Sequence, residues 1–403
     1  KKRGEAAVEA CNTFPHVSYE GGVLLDEVED DVLRDALVEQ IKSFGQTPPQ
    51  LFLEPHPARH VGLAAAALVV EDQDVVTAEV TPGVPIAFIA THGDSVLTVS
   101  CDQSFWIHHF DAREWALTIS PSLPTDWRDG LQRLGEPFDA KTAISTACFA
   151  ASRDLAQVAA AGYWDNSAKC FTTADRGRHL QSCFSHDTVT TSVALSPTGR
   201  YFVTGSRGAT VHVWKCPKTP FCVEGIPCAV VGHELAVTAV AIDDTLDLVV
   251  SASAGLCLLH TLAGKFLRRL THPVARRVQT LQLLPNRGQV IVVYMDKAHP
   301  ALAVFSINGA LLASVLTGED LLMDVAVDET AGLVYAGGFG RQLSVRALSD
   351  LALRFSYPKG GTSIRTLALS PCRRALLVGT AAGSLEIYPT RAHDPTMVAK
   401  QNQ

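Results

Sequence analysis

The 403-residue sequence lacks several features that would fix its class at once. It has no excess of basic charge: 34 lysines and arginines stand against 41 aspartates and glutamates, a formal net charge of −7. A nucleic-acid binder needs a basic face to displace counterions, so that class is disfavoured. Long apolar runs are missing too. The longest, VGLAAAALVV at 61–70, is about half of what a membrane-spanning helix requires, so membrane association is expected to be peripheral or to come from another part. No secretory leader is seen, because the chain opens on KKRGEAAVEA without an apolar core. The ten cysteines form no framework of short spacings, which fits reduced thiols in a cytosolic setting. What is present is 47% hydrophobic and 19% charged, the composition of an ordered protein with one large domain and a smaller piece.

Internal repeats carry the architecture. VALSPTGRYFVTGSRGATVHVW (193–214) holds two alternating runs, a turn at Pro197-Thr198-Gly199 and another at Arg207-Gly208. Val203 lies in one arm of the hairpin, and Val211 and Val213 share a sheet face in the other. The plan returns at 240–260, 325–346 and 367–388, and more loosely at 86–110, 144–171 and 278–305. From Gly205, the matching small residue falls near Gly338 and Gly379, close to three and four units of about 43 residues, the length of one four-stranded propeller blade. Such a blade cannot bury both its faces alone, so blades stack around an axis until the ring closes. The expected fold is therefore all-β, a seven-bladed propeller over 85–392. A two-sheet sandwich also spaces strands by turns, but it would not regenerate one pattern at this period.

These repeats resemble the WD-repeat family. Gly232-His233 matches its glycine–histidine opening, with Ser185-His186 and Thr271-His272 as weaker versions; Trp214 matches its tryptophan, and Trp164-Asp165 is a Trp-Asp pair shifted into a turn. The resemblance implies a buried hydrogen-bonded set of histidine, hydroxyl, tryptophan and turn aspartate. The 184–214 copy offers His186, Ser206 or Thr204, and Trp214, while Arg207-Gly208 stands where the aspartate would be. His186, Trp214 and His233 are expected to be structural.

Ahead of the repeats, residues 1–60 have no β period. AAVEACNTF and DVLRDALVEQIKSF space apolar residues as amphipathic helices do. Glu27, Glu29, Asp30 and Asp31 crowd a helix start, Gly45 follows Phe44 as a stop, and Thr47-Pro48 can open a short new helix. Phe44 and Phe52 are expected to be buried at this junction. The stretch FGQTPPQL from Phe44 to Leu51, followed by Glu54-Pro55-His56-Pro57, resembles the end of a BEACH domain, as in neurobeachin-like proteins, which a WD-repeat propeller typically follows. The expected layout is thus the C-terminal end of a BEACH domain, α-helical, over 1–60; a linker able to supply a ring-closing strand over 61–84; the propeller over 85–392; and a tail over 393–403. On this resemblance the chain begins inside the BEACH domain.

No set of residues makes a catalytic or metal site stronger than its plain structural explanation. CPKTPFCVEGIPC (216–228) spaces cysteines by five residues, wider than zinc ligands are usually placed. His108 and His109 must point to opposite faces of one strand. Asp243-Asp244 and Asp328-Glu329 fall at the turn position of the repeat, where turn chemistry accounts for them. GGFG (337–340) lacks the spacing and lysine of a phosphate loop. Neither a cofactor nor a metal is expected.

The resemblance implies a non-catalytic scaffold for protein–protein interaction in intracellular membrane and vesicle trafficking, in lysosome-related, autophagy or receptor traffic. The location it implies is cytoplasmic, peripheral on endosomal, lysosomal or other vesicle membranes. Partners would be other proteins through the propeller faces and the BEACH domain in cis, with peripheral membrane association and no nucleic acid. Two alternatives are a ubiquitin-ligase substrate receptor and a propeller enzyme. Such receptors often carry an arginine two residues after a Trp-Asp pair, and Trp164-Asp165-Asn166-Ser167 lacks it. The turns between second and third strands carry Asp102, Asp165, Arg207, Lys297 and Arg341, with Asp296 and His299 beside Lys297. These are candidate partner-binding residues, acidic on one arc of the ring and basic on the other.

Overall fold

The computed structural model describes residues 59–60, 75–118 and 145–390, apart from 103, 113–114, 164, 174–177, 219–221, 231, 297–298, 319–320 and 358–359. Of the expected α-helical segment 1–60, residues 1–58, with Phe44 and Phe52, lie outside the described residues, as do Trp164, Lys297 and the tail 393–403.

Among the described residues the sheets are seven, and in each the four strands of a blade pair antiparallel with their neighbours. Numbered along the chain, the blades occupy 86–118, 149–183, 190–230, 237–271, 278–316, 322–356 and 364–389. Strands within a blade are counted outward from the axis. First strands touch the first strands of the next blade, and their middle residues in all seven blades line one axial cavity of about 540 Å³. Among the described residues there are two short 3-10 turns, Thr146–Cys148 and Pro285–Arg287, and no α-helix.

Burial follows position in the blade. Second strands such as Leu248–Ser253 (LVVSAS) and Ala375–Thr380 (ALLVGT) are buried along their whole length, because a blade lies against each face. Such strands read as continuous apolar runs rather than alternating ones. The fourth strand Phe266–Thr271 is half-exposed, as a rim strand must be. Val203, Val211 and Val213 share one cluster with Val237, Val240 and Ile242 of the next blade. Stacking of this kind is why no blade stands alone.

The repeated glycine has a physical reason. Gly205, Gly337 and Gly379 pair with Ser192, Asp324 and Thr366, each just past a bulge in a first strand. The register puts Gly337, not Gly338, at the repeat position. A β-carbon on Gly205 would stand 2.6 Å from Val237 Cγ1, on Gly337 2.7 Å from Ile364 Cδ1, and on Gly379 2.9 Å from Ile86 Cγ2. Val237, Ile364 and Ile86 each belong to the following blade. The small residue therefore marks the closest approach between neighbours.

Closure comes from the N-terminal side. Val76–Glu79 pairs antiparallel with residues 384–387 and is the fourth strand of blade seven. Two ends of the chain some 300 residues apart thus share one sheet, which leaves no open seam. Arg59–His60 adds a parallel pair on the fourth strand of blade five, at Ala313 and Ser314.

Candidate functional site

In a four-stranded meander, the turn between the second and third strands and the connector to the next blade emerge at one end. The turns between first and second and between third and fourth strands emerge at the other. The ring therefore has two chemically separate faces, here called the connector face and the hairpin face.

On the hairpin face, polar groups close turns and tie blades together. Asp243 Oδ1 accepts from Thr245 N, Thr245 Oγ1 and Leu246 N at 2.9, 2.5 and 3.0 Å. Asp328 Oδ1 does the same for Thr330 and Ala331 and receives Arg373 Nη1 from blade seven at 2.9 Å. Thr198 and Arg200 of blade three reach Asp244 of blade four. Arg287 Nη2 of blade five donates to the Glu329 carbonyl at 2.6 Å. The paired acids are turn and seam residues.

Blade three holds the buried network. Thr204 Oγ1 receives Trp214 Nε1–H at 3.2 Å and lies 2.8 Å from His186 Nε2. His186 Nδ1 lies 2.8 Å from Thr210 Oγ1, itself 2.8 Å from Ser206 Oγ. Thr210 thus takes the place of the missing turn aspartate, and both hydroxyls, Thr204 and Ser206, are used. With a hydroxyl at each ring nitrogen the imidazole sits neutral. Burial first, and then neighbouring His212, stacked at 4.2 Å, push its pKa down to about 4. His233 Nε2 meets Ser251 Oγ at 2.8 Å, and burial lowers its pKa to about 4 as well.

Sequence reading missed that histidine also fills the tryptophan position. Trp214 is paired with Phe202, two residues before Thr204; the equivalent pairs are His108 with Val96 in blade one and His260 with Val249 in blade four. His108 is buried and bonds Thr98 at 2.9 Å, and burial brings its pKa to about 4. His109 is exposed, as strand alternation requires. Strand register was the signal: Thr98 and Thr204 align once Gly205 is set against Val99.

The connector face differs. Asp102, Asp165, Arg207 and Arg341 all emerge on it, in the second-to-third-strand turns of blades one, two, three and six. The two acids act on their own turns. Asp102 Oδ1 accepts from Ser104 N at 3.0 Å. Asp165 Oδ1 accepts from Ser167 N and Oγ, and its Oδ2 pairs with Lys169 at 3.4 Å. Asp296 Oδ2 accepts from Arg276 N at 3.2 Å, and His299 is exposed. Arg207 is exposed, and Arg341 Nη1 donates to the Gly361 carbonyl at 3.3 Å.

At the axis of this face lies a depression of about 700 Å³. Arg207 reaches it from its turn; Arg277, Arg365, Met295, Met323 and Phe339 join from connectors, turns and first strands of blades five to seven. Arg277, Arg365 and the two methionines are absent from the turn inventory. Met323 and Arg365 stand at the bulges of their first strands, where the pairing register skips one residue and the extra side chain is aimed at the axis. Arg365 also contacts Cys101, whose thiol is pushed up by burial and pulled back by the guanidinium.

Comparison with known proteins agrees with this construction. Residues 130–395 match the model of the neurobeachin beta propeller domain, and residues 1–59 match that of the Beige/BEACH domain. A "Putative neurobeachin homolog" of Caenorhabditis briggsae is 26% identical over 96% of this chain and 17% of its own length. "BEACH domain-containing protein B" of Arabidopsis thaliana is 26% identical over 96% of this chain and 16% of its own. "BEACH domain-containing protein lvsE" of Dictyostelium discoideum is 26% identical over 98% and 21%. The chain thus spans about a fifth or less of the length of these relatives. BEACH and propeller domains are generally protein-interaction modules, and this chain, matched at 1–59 by the one model and at 130–395 by the other, belongs to the neurobeachin family of BEACH-domain propeller proteins.

Proposed function

We propose that the protein is a non-catalytic scaffold in intracellular membrane and vesicle trafficking, cytoplasmic and peripheral on endosomal or lysosomal membranes, with the connector face of its propeller as the docking face. The observation that carries the reading is the division of labour between the faces. The paired acids that could have served acid–base chemistry are held in turns and seams on the hairpin face, whereas the connector face keeps a large depression with exposed arginine. Family membership supports the trafficking context. In this reading Asp102, Asp165, Arg207, Lys297 and Arg341 set encounter and orientation of the partner through the field they create. The test is purification of the full-length protein with its associated membranes. Recovery of vesicle membranes and trafficking proteins is expected; recovery of ubiquitin-ligase subunits alone would overturn it.

A further inference from the structure

The exposed large apolar side chains among the described residues are Phe184, Leu235, Val274, Leu316 and Phe339, between 40% and 65% exposed. All five lie on the connector face. Phe184, Leu235 and Val274 sit in connectors between blades, Leu316 ends a fourth strand, and Phe339 is in a second-to-third-strand turn. Charge is distributed as unevenly. Among the described residues no carboxylate lines the axial depression, yet Arg207, Arg277 and Arg365 do. A groove of about 420 Å³ adjoins it between blades six and seven, lined by Phe339, Arg341 and residues 361–363, again with no carboxylate among the described residues. Phe339 borders both hollows, so they adjoin as one path that leads from the axis between blades six and seven. Arg207 and Arg277 are exposed and make no ion pair among the described residues. In a protein of net charge −7, this is a local inversion of sign over an apolar floor of Met295, Met323 and Phe339.

We propose that this path binds an extended acidic peptide carrying an aromatic or large aliphatic residue, the apolar side chain resting on the methionine–phenylalanine floor and the carboxylates facing the four arginines. Guanidinium groups pair with carboxylates in bidentate geometry, which gives orientation as well as attraction. Methionine adapts to differently shaped apolar anchors. An anionic membrane is the rival occupant, and the rim argues against it. Asp187 and Glu234 are exposed on the connectors that also carry Phe184 and Leu235, where they would repel lipid headgroups. The concave path has no carboxylate in its lining among the described residues, and a peptide can enter it where a flat bilayer cannot. The inference rests on the connector face being the docking face.

The experiment uses the 403-residue chain and a short fluorescein-labelled peptide of alternating glutamate and phenylalanine, read by anisotropy. Its controls are an all-glutamate peptide, a lysine–phenylalanine peptide, and vesicles containing phosphatidylserine. The Glu–Phe peptide is expected to bind and to weaken with salt. Arg207→Glu with Arg277→Glu should weaken it on the order of tenfold or more. The same double reversal on the hairpin face, Arg153→Glu with Arg374→Glu, should leave it unchanged. Phe339→Ala should weaken the Glu–Phe peptide more than the all-glutamate one. Equal binding by the two double variants would overturn the proposal. So would vesicle binding that depends on Arg207 and Arg277 in the absence of peptide binding. Partners still recovered with the full-length protein would then show that this site, not the scaffold reading, had failed.

Discussion

Removing one hydroxyl from blade three should test the account of its buried network. Thr204 Oγ1 is shared by Trp214 Nε1 at 3.2 Å and His186 Nε2 at 2.8 Å, and the residue is 1% exposed. Thr204→Val keeps the branched shape and removes the oxygen, leaving two buried nitrogens without a partner. Each such orphan costs about 1–3 kcal/mol, and the added methyl returns about 0.8 kcal/mol. The expected loss is on the order of 2–4 kcal/mol. Thr204→Ser is the complementary change, keeping the oxygen and removing a methyl, and it should cost about 1 kcal/mol. Ser251→Ala orphans only His233 Nε2, bonded at 2.8 Å, so a loss of about 1–2 kcal/mol is expected. Urea unfolding of the 403-residue chain followed by tryptophan fluorescence gives the midpoints, and a constant slope licenses the comparison. If Thr204→Ser proved more damaging than Thr204→Val, shape rather than the hydrogen-bonded hub would hold this part of the blade.

Three further outcomes follow from other features. His108, His186 and His233 have folded pKa values pushed from 6.5 to about 4; the neutral forms favour the folded state, so their contribution is full above 6.5 and is lost as pH falls towards 4, seen as a falling urea midpoint. Asp324 has the opposite sign, since burial outweighs its bonds from Leu367 N and Val325 N and raises its pKa to about 7; its contribution is full below 3.8 and is lost as pH rises through about 7. Asp324→Asn should flatten that alkaline limb, and should itself cost about 1–3 kcal/mol because an amide oxygen can replace only one of the two acceptors. Gly205→Ala should destabilise by about 1–3 kcal/mol through overlap with Ser192 and Val237, and Val237→Ala in the same chain should recover part of the loss if the closest approach between blades is the cause.

Much of the fold was legible because each blade repeats the same local instructions: alternating arms, a polar turn and a small residue at the contact with the next blade. The correspondence of Gly205 and Gly379 is a packing requirement written in sequence, and in blade six the residue that fills it is Gly337 rather than its neighbour Gly338, since Gly337 pairs with Asp324 as Gly205 pairs with Ser192. The closing strand Val76–Glu79 has only four residues, and its partner lies at residues 384–387; nothing in VTAE itself names so distant a neighbour. The network in blade three was legible as a set of residue types, but not the substitution of Thr210 for the aspartate, since any nearby hydroxyl of the right reach can serve the imidazole.

The candidate site was legible only where turns supply it. Arg207 and Arg341 sit at turn positions and can be counted along the sequence. Arg365 and Met323 cannot, because they reach the axis through bulges that leave the apparent alternation of their strands intact. The same geometry explains why the exposed large apolar side chains collect on one side of the ring. Hairpin turns are short and must close on themselves, so their acids and hydroxyls bind local backbone and the next blade. Connectors run from a rim strand to the axis of the following blade and expose side chains on the way, among them Phe184, Leu235 and Val274. A propeller that stitches its blades on the hairpin face in this way keeps, among the described residues, its exposed large apolar side chains on the connector face.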